Sequence, residues 1–202
     1  MTLFEHQKSI LSTAYAPPIE YFHFLLNSES SLLEGNENYQ KQSFRNRCHI
    51  KSSQGLQKLL IPVEHSESNQ IRDIKISYRE QWQRQHWRSL NTCYRKSPYF
   101  LYYDYLLLPF YEKEEKYLFD FNLKLLSKFC EMLLIPLPEI TTSWQLEHDD
   151  RLDLRNLIHP KNTRLTRINK KNEQENYLHN TEKYISIFDL LFMEGPQSKQ
   201  MI

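Results

Sequence analysis

Residues 41 to 51 read Lys41-Gln-Ser-Phe-Arg45-Asn46-Arg47-Cys48-His49-Ile50-Lys51, with four basic side chains, one histidine and no acid. If this segment is a strand, its period of two puts Arg45, Arg47, His49 and Lys51 on one face. Like charges on one face repel unless an anion or carboxylates sit opposite. The planar fork of arginine makes two parallel hydrogen bonds to a phosphate or carboxylate. Arg45 and Arg47, with Lys41 close by, are therefore candidate binding residues for an anionic small molecule. The competing reading is a solvated edge strand whose charges block aggregation.

A second group is Trp82-Gln-Arg84-Gln-His86-Trp87-Arg88. On a helix, His86 lies one turn from Trp82, and an imidazole can act as general base or acid near neutral pH. His86 is the candidate catalytic residue, with Trp82 and Arg84 as substrate contacts. The alternative is a half-buried histidine bonded to a backbone carbonyl, with the tryptophans in the core. Cys48 beside His49 does not make a nucleophile and base, because neighbours on a strand point to opposite faces. His148, Asp149, Asp150 and Asp153 form the best carboxylate and imidazole cluster, yet HExxH is absent. A solvated acidic loop is the expectation there, and no metal ligand set is assigned. The sequence names no cofactor. The aromatic run from Tyr94 to Tyr111 has acidic rather than basic neighbours, including Asp104. It reads as core with hydroxyls at the rim, not as a base-stacking platform.

Only 3 glycines occur in 202 residues, Gly35, Gly55 and Gly195. They are too scattered for GxGxxG or GxxxxGK[ST], so any phosphate must be gripped by side chains or a helix N-terminus, such as that after Pro17-Pro18. The net charge of +1 hides blocks: −4 over 1–40, +8 over 41–100, −6 over 101–154 and +3 over 155–202. The +8 segment holds both candidate groups. A neutral sum and no recognisable module exclude a nucleic-acid binder. The 3 cysteines are odd in number and lack CxxC, as expected for reduced thiols. No signal peptide is visible, and the most apolar later run is broken by Asp104 and Pro109. A cytoplasmic protein without a membrane span is expected.

The elements that must carry these groups follow from periodicity. A strand over Ser9–Ala14 leads through Pro17-Pro18 into a helix with Ile19, Phe22, Leu25 and Leu26 on one side. Ser31–Leu33 reads as a short strand. Residues 44–63 read as a hairpin turning at Ser52-Ser53-Gln54-Gly55, and Ile71, Ile74 and Ile76 mark a further, bulged strand. Helices are expected over Glu80–Tyr94, from Ser97-Pro98 to Tyr111, over Lys116–Leu134 and over Ile187–Met193. The last is capped by Gly195 and stopped by Pro196. Glu139–Thr142 is a candidate strand, and polar residues 147–182 read as loops. The expectation is one domain over 1–202, α/β (or α+β), with a small central sheet that includes the basic hairpin and about four to five packed helices.

Four blocks add a resemblance. They are Tyr15-Ala-Pro-Pro-Ile-Glu-Tyr-Phe, Glu37-Asn-Tyr-Gln-Lys-Gln-Ser-Phe-Arg-Asn-Arg-Cys-His-Ile, Gln85-His86-Trp87 and Ile187-Phe-Asp-Leu-Leu-Phe-Met-Glu-Gly-Pro196. In their order and spacing, from about residue 9 to the C-terminus, the chain resembles the WbqC-like family. The resemblance implies a bacterial protein of surface-polysaccharide (O-antigen) loci, in the shorter form common in Bacteroidetes. It implies a transferase that moves an amino-acyl or acyl group onto a sugar. On that reading the anion site is built on Arg45, Asn46 and Arg47, a sugar nucleotide or acyl donor places its phosphates on Arg45, Arg47 and Lys41, and His86 is the base. Thr141-Thr-Ser-Trp144 stands where longer members carry a Ser-Asp-Leu-like stretch. The alternative is a non-catalytic partner protein of the same pathway, in which acidic 101–154 pairs with basic 41–100 across a homodimer or another chain.

Overall fold

The computed structural model describes residues 7–146, 150–162 and 184–202. In chain order these form β1 (Lys8–Ser12), α1 (Ile19–Asn27), β2 (Ser31–Glu34), β3 (Arg47–Ser52), β4 (Gly55–Leu60) and α2 (Trp82–Tyr94). Then come α3 (Phe100–Leu107), α4 (Pro109–Glu112), α5 (Leu118–Leu133), β5 (Glu139–Ile140), β6 (Arg151–Asp153), α6 (Ile187–Glu194) and α7 (Ser198–Met201).

Four strands make a parallel sheet in the order β5-β2-β1-β6, with Ser9 opposite Ser31 and Ser12 opposite Glu34. Parallel neighbours need a crossover, and α1 supplies it between β1 and β2. Pro17-Pro18 ends the extended run, and Pro18 (φ −68°, ψ 159°) stands at the helix start. The central strand β1 has Ile10 and Leu11 fully buried, as expected of a strand covered on both faces.

The mixed α/β class expected from the sequence is the one observed. The basic hairpin is present, but it forms its own antiparallel pair, β3 with β4, instead of joining the central sheet. Its apolar positions Cys48, Ile50 and Leu59 are buried, so its inner face is occupied by packing. Gly55 takes φ 101° directly after the two turn residues, a backbone conformation that side-chain-bearing residues avoid.

Around the sheets, α5 buries Leu118, Phe121, Leu125, Phe129 and Leu133 on one stripe. Helix α6 is buried from Ile187 to Phe192, with Phe129 edge-on to Phe188 at 5.3 Å. Ser186 ties three regions together. Its N–H donates to the His49 carbonyl (2.7 Å), and its hydroxyl donates to the Ala16 carbonyl (2.9 Å). That hydroxyl also accepts from Phe188 N–H (3.4 Å), which caps α6.

Three elements differ from the sequence expectation. Ile71–Asp73 is a 3-10 turn, and beyond it only Lys75 and Ile76 pair, each through a single bridge, to Tyr117 and Val63. The three isoleucines are all buried, so burial without alternation mimicked a strand. The helix expected from Ser97 to Tyr111 is two helices, because Pro109 opens α4 as a first-turn residue. Within 147–182, residues 150–162 hold strand β6, expected as loop. Three residues are too few to show a period, and β6 is fixed by pairing with Lys8–Ile10. Residues 147–149 and 163–182 of that stretch lie outside the described residues.

Candidate anion-binding site

In an open parallel sheet, ligands enter at the carboxyl ends of the strands, where the chain switches sides. Here β2 lies on one side of β1 and β6 on the other, so the switch point falls between β1 and β6. The carboxyl ends bring together Ser12, Glu34, Thr141, Asp153 and Arg155.

Two buried ion networks fill this edge. In the first, Arg45 is 2% exposed and donates through Nε to Glu37 Oε1 (2.9 Å), through Nη2 to Ser12 Oγ (2.8 Å) and to Glu37 Oε2, and through Nη1 to Gln40 (3.3 Å). Burial pushes the Glu37 carboxyl up, while Arg45 and Ser12 pull it down. In the second, Glu34 accepts from Thr141 Oγ1 (2.6 Å), Asn36 N–H (2.8 Å) and Arg155 Nη1 (3.1 Å). Arg155 also donates to Asp153 (2.7 Å) and stacks on Trp144 at 4.5 Å. Burial works against the Arg155 charge, but Asp153 and Glu34 hold its pKa above the ordinary value. Ser12 Oγ lies 3.0 Å from the Arg155 carbonyl and joins the two networks.

The recess between them, bordered by Ser12, Thr13, Phe44, Arg45, Leu154 and Ile158, has about 10 Å³ of free space. That is room for one water. Anything larger than a water is confined to its mouth. Near it is Arg47, the first residue of β3, whose charge acts on His159 next to the recess-lining Ile158 and which has no ion-pair partner among the described residues. Its Nε is shielded from solvent yet has no hydrogen-bond partner. His159 is held below the ordinary imidazole pKa, first by burial and then by Arg45, Lys161 and Arg47. His49 is lowered by burial, Arg47 and Lys58, and its Nδ1 is also unpartnered. The mouth is thus cationic and holds neutral imidazoles.

The sequence-derived residues separate in this geometry. Arg47, His49 and Lys51 keep the strand alternation. Arg45 precedes the strand and turns inward onto Glu37, the carboxylate that a like-charged row requires. Lys41 is exposed on the loop before it. Asn46 is buried and donates to the Ile61 carbonyl (2.9 Å), which fixes the hairpin to the following chain. Trp82 is 2% exposed, between His86 and Phe121. Arg84 is exposed on α2, away from the buried side.

His86 is 5% exposed. Its Nδ1 is 2.9 Å from the Tyr15 hydroxyl, which is 3.0 Å from the Tyr111 hydroxyl. Burial lowers the His86 pKa to about 4, while a hydrogen bond to the Leu60 carbonyl opposes that shift. Tyr15 thus links the imidazole to Tyr111 in a chain of buried polar groups. His86 is a buried, neutral imidazole whose Nδ1 is bonded to Tyr15.

Sequence reasoning missed Glu37, Glu34, Arg155 and His159, and read Asp153 as part of a solvated acidic loop. Strand ends did not mark them, because the expected strands ended at Ala14 and Leu33 instead of Ser12 and Glu34, and β6 was expected as loop. Arg155 and His159 carried no local pattern at all. Ala16, just beyond β1, takes φ 38° while fully buried, a strain placed beside the site.

An α/β protein with a parallel sheet, a guanidinium-carboxylate cluster at its carboxyl edge and a cationic mouth is the class so defined. The chain belongs to the WbqC-like protein family, whose family model matches residues 13–183. It is 30% identical over 145 residues to "Uncharacterized protein Rv1507c" of Mycobacterium tuberculosis, a match covering 70% of this chain and 62% of that protein. The chain thus spans less than two thirds of that relative's length. No solved structure matches. No described helix is long and apolar enough to cross a membrane.

Proposed function

We propose that this protein binds an anionic donor, a sugar nucleotide or an activated acyl group, at the mouth of the sheet's carboxyl edge. In this reading it acts in the bacterial cytoplasm as a transferase of surface-polysaccharide (O-antigen) biosynthesis, moving an acyl or amino-acyl group onto a sugar. Arg47 takes the donor phosphate, with Lys41 at the rim. Arg45 and Asn46 hold the strand that presents it. His86 holds Tyr15 and the end of β1 in place, and Trp82 packs behind it. Arg84 contributes only to the general field.

The observation that carries the reading is the Arg47 guanidinium, whose Nε is enclosed and unbonded and which has no ion pair among the described residues, while nearby Arg45 is already paired with Glu37. A buried unbonded donor costs about 1–3 kcal/mol, which a phosphate oxygen would recover. The test is thermal-shift screening with UDP-N-acetylglucosamine and acetyl-coenzyme A as separate probes. A real ligand raises stability by about 2.7 kcal/mol at one hundred times its Kd. No shift with either probe or their sugar and acyl congeners counts against the reading.

A second reading rests on α3, where Leu101, Tyr102 and Tyr105 are 68%, 67% and 65% exposed. They favour a non-catalytic partner protein that pairs with another chain or with itself. Light scattering across a salt series decides it: association without any response to donors supports this second reading.

A further inference from the structure

Well away from the carboxyl edge, a cleft of about 540 Å³ opens between the hairpin turn, the end of α2 and the buried helix α6. That volume is within the usual range for a small-molecule site, about 300–1,000 Å³. Its floor is Asp189, 3% exposed, with Tyr94 beside it. The Tyr94 hydroxyl accepts from Lys51 N–H (2.9 Å) and donates to the Asp189 carboxylate, whose charge, with burial, pushes the phenol pKa up.

The walls carry neutral groups able both to donate and to accept: Ser52, Ser53, Gln54, Gln57, Thr92 and Ser97. Among the described residues the side chains of Ser53, Gln54 and Ser97 have no protein partner. One carboxylate lies at the floor and one cation, Lys51, at the rim, so charges of opposite sign face any occupant. A multiply charged anion is opposed by Asp189, and a cation by Lys51. What matches hydroxyl and amide walls with balanced charge is a neutral ligand dense in hydroxyls.

We propose that this cleft is a second ligand site, for a neutral saccharide. It does not rest on the proposed donor site. Arg47 and Lys51 are four residues apart on β3, roughly 13 Å, so the two sites are served by opposite ends of one strand.

Cys93 lines the cleft and is partly exposed, whereas Cys48 and Cys130 are buried. The test uses the native full chain. Alkylation of each cysteine by iodoacetamide is timed by mass spectrometry with and without methyl glycosides of glucose, galactose, mannose and N-acetylglucosamine. The Met193 methyl resonance is followed in parallel, since Met193 also borders the cleft.

The expected result is that at least one glycoside slows Cys93 about tenfold at ten times its Kd, and moves the Met193 signal. Thr92→Trp, at an exposed position on the wall, should abolish both effects without changing Tm. Asp189→Asn should weaken the glycoside if the fold survives, and Thr92→Trp keeps the test decisive if it does not. The proposal is overturned if no glycoside protects Cys93 or moves Met193. It is overturned equally if Thr92→Trp is still protected, or if inorganic pyrophosphate gives the protection and glycosides do not.

Discussion

Replacing His86 by glutamine should remove a defined part of the protein's acid sensitivity. In the folded chain burial lowers the His86 pKa to about 4, against an ordinary value of 6.5. Between those values the unfolded chain binds a proton that the folded chain does not. Stability from this group is therefore complete above about pH 6.5 and is lost progressively as pH falls toward about 4. A gap of about 2.5 pKa units at about 1.36 kcal/mol each gives about 3 kcal/mol. Solvent screening is slight, because His86 is 5% exposed. The glutamine amide of His86→Gln still offers a polar group to Tyr15, but it cannot titrate. The assay is urea unfolding of both proteins from pH 7.5 to 4.5. His49 and His159 titrate with the same sign in both chains and cancel in the difference. The wild type should lose about 2–3 kcal/mol more than His86→Gln over that range. Parallel profiles would refute the buried, neutral imidazole.

Other outcomes follow from the same contacts. Glu37→Gln leaves Arg45 buried without its counter-charge and should cost about 3–5 kcal/mol in chemical unfolding, whereas removing both charges as Glu37→Gln with Arg45→Met should cost less than Glu37→Gln alone. Gly195→Ala would set a Cβ 2.3 Å from the Tyr99 ring at a backbone φ of 55°, so a Tm drop equivalent to about 2 kcal/mol or more is expected. In timed alkylation Cys93 should react well before Cys48 and Cys130, and equal rates would contradict the burial described here.

Much of the fold was legible because long amphipathic helices announce themselves. The stripe of α5 and the Pro17-Pro18 start of α1 could be read directly. The sheet was harder. Strands of two to four residues, such as β5, β2 and β6, are defined by their partners and carry no period of their own. The candidate site divided in the same way. Arg47 was visible as one of a basic row, since strand alternation is local. The inward turn of Arg45 was not, because its reason is Glu37, a carboxylate met only when loop 35–46 folds back on β1. Arg155 and His159 come from a polar stretch that reads as loop, and only the pairing of β6 with β1 carries them to the edge. His86 looked the same from the sequence whether it faced solvent or the core. The difference lies in Tyr15, Tyr111 and the Leu60 carbonyl, all distant in the chain.

The most direct measurement is calorimetric titration of the best-stabilising anionic donor into the wild type, Arg47→Met and Arg84→Met, repeated across a salt series. The expected result is a loss of about 1–3 kcal/mol in binding for Arg47→Met, a near-wild-type Kd for exposed Arg84→Met, and weaker binding as salt rises. Equal affinity in the wild type and Arg47→Met, with both proteins folded, would contradict an anion site at the mouth of the sheet.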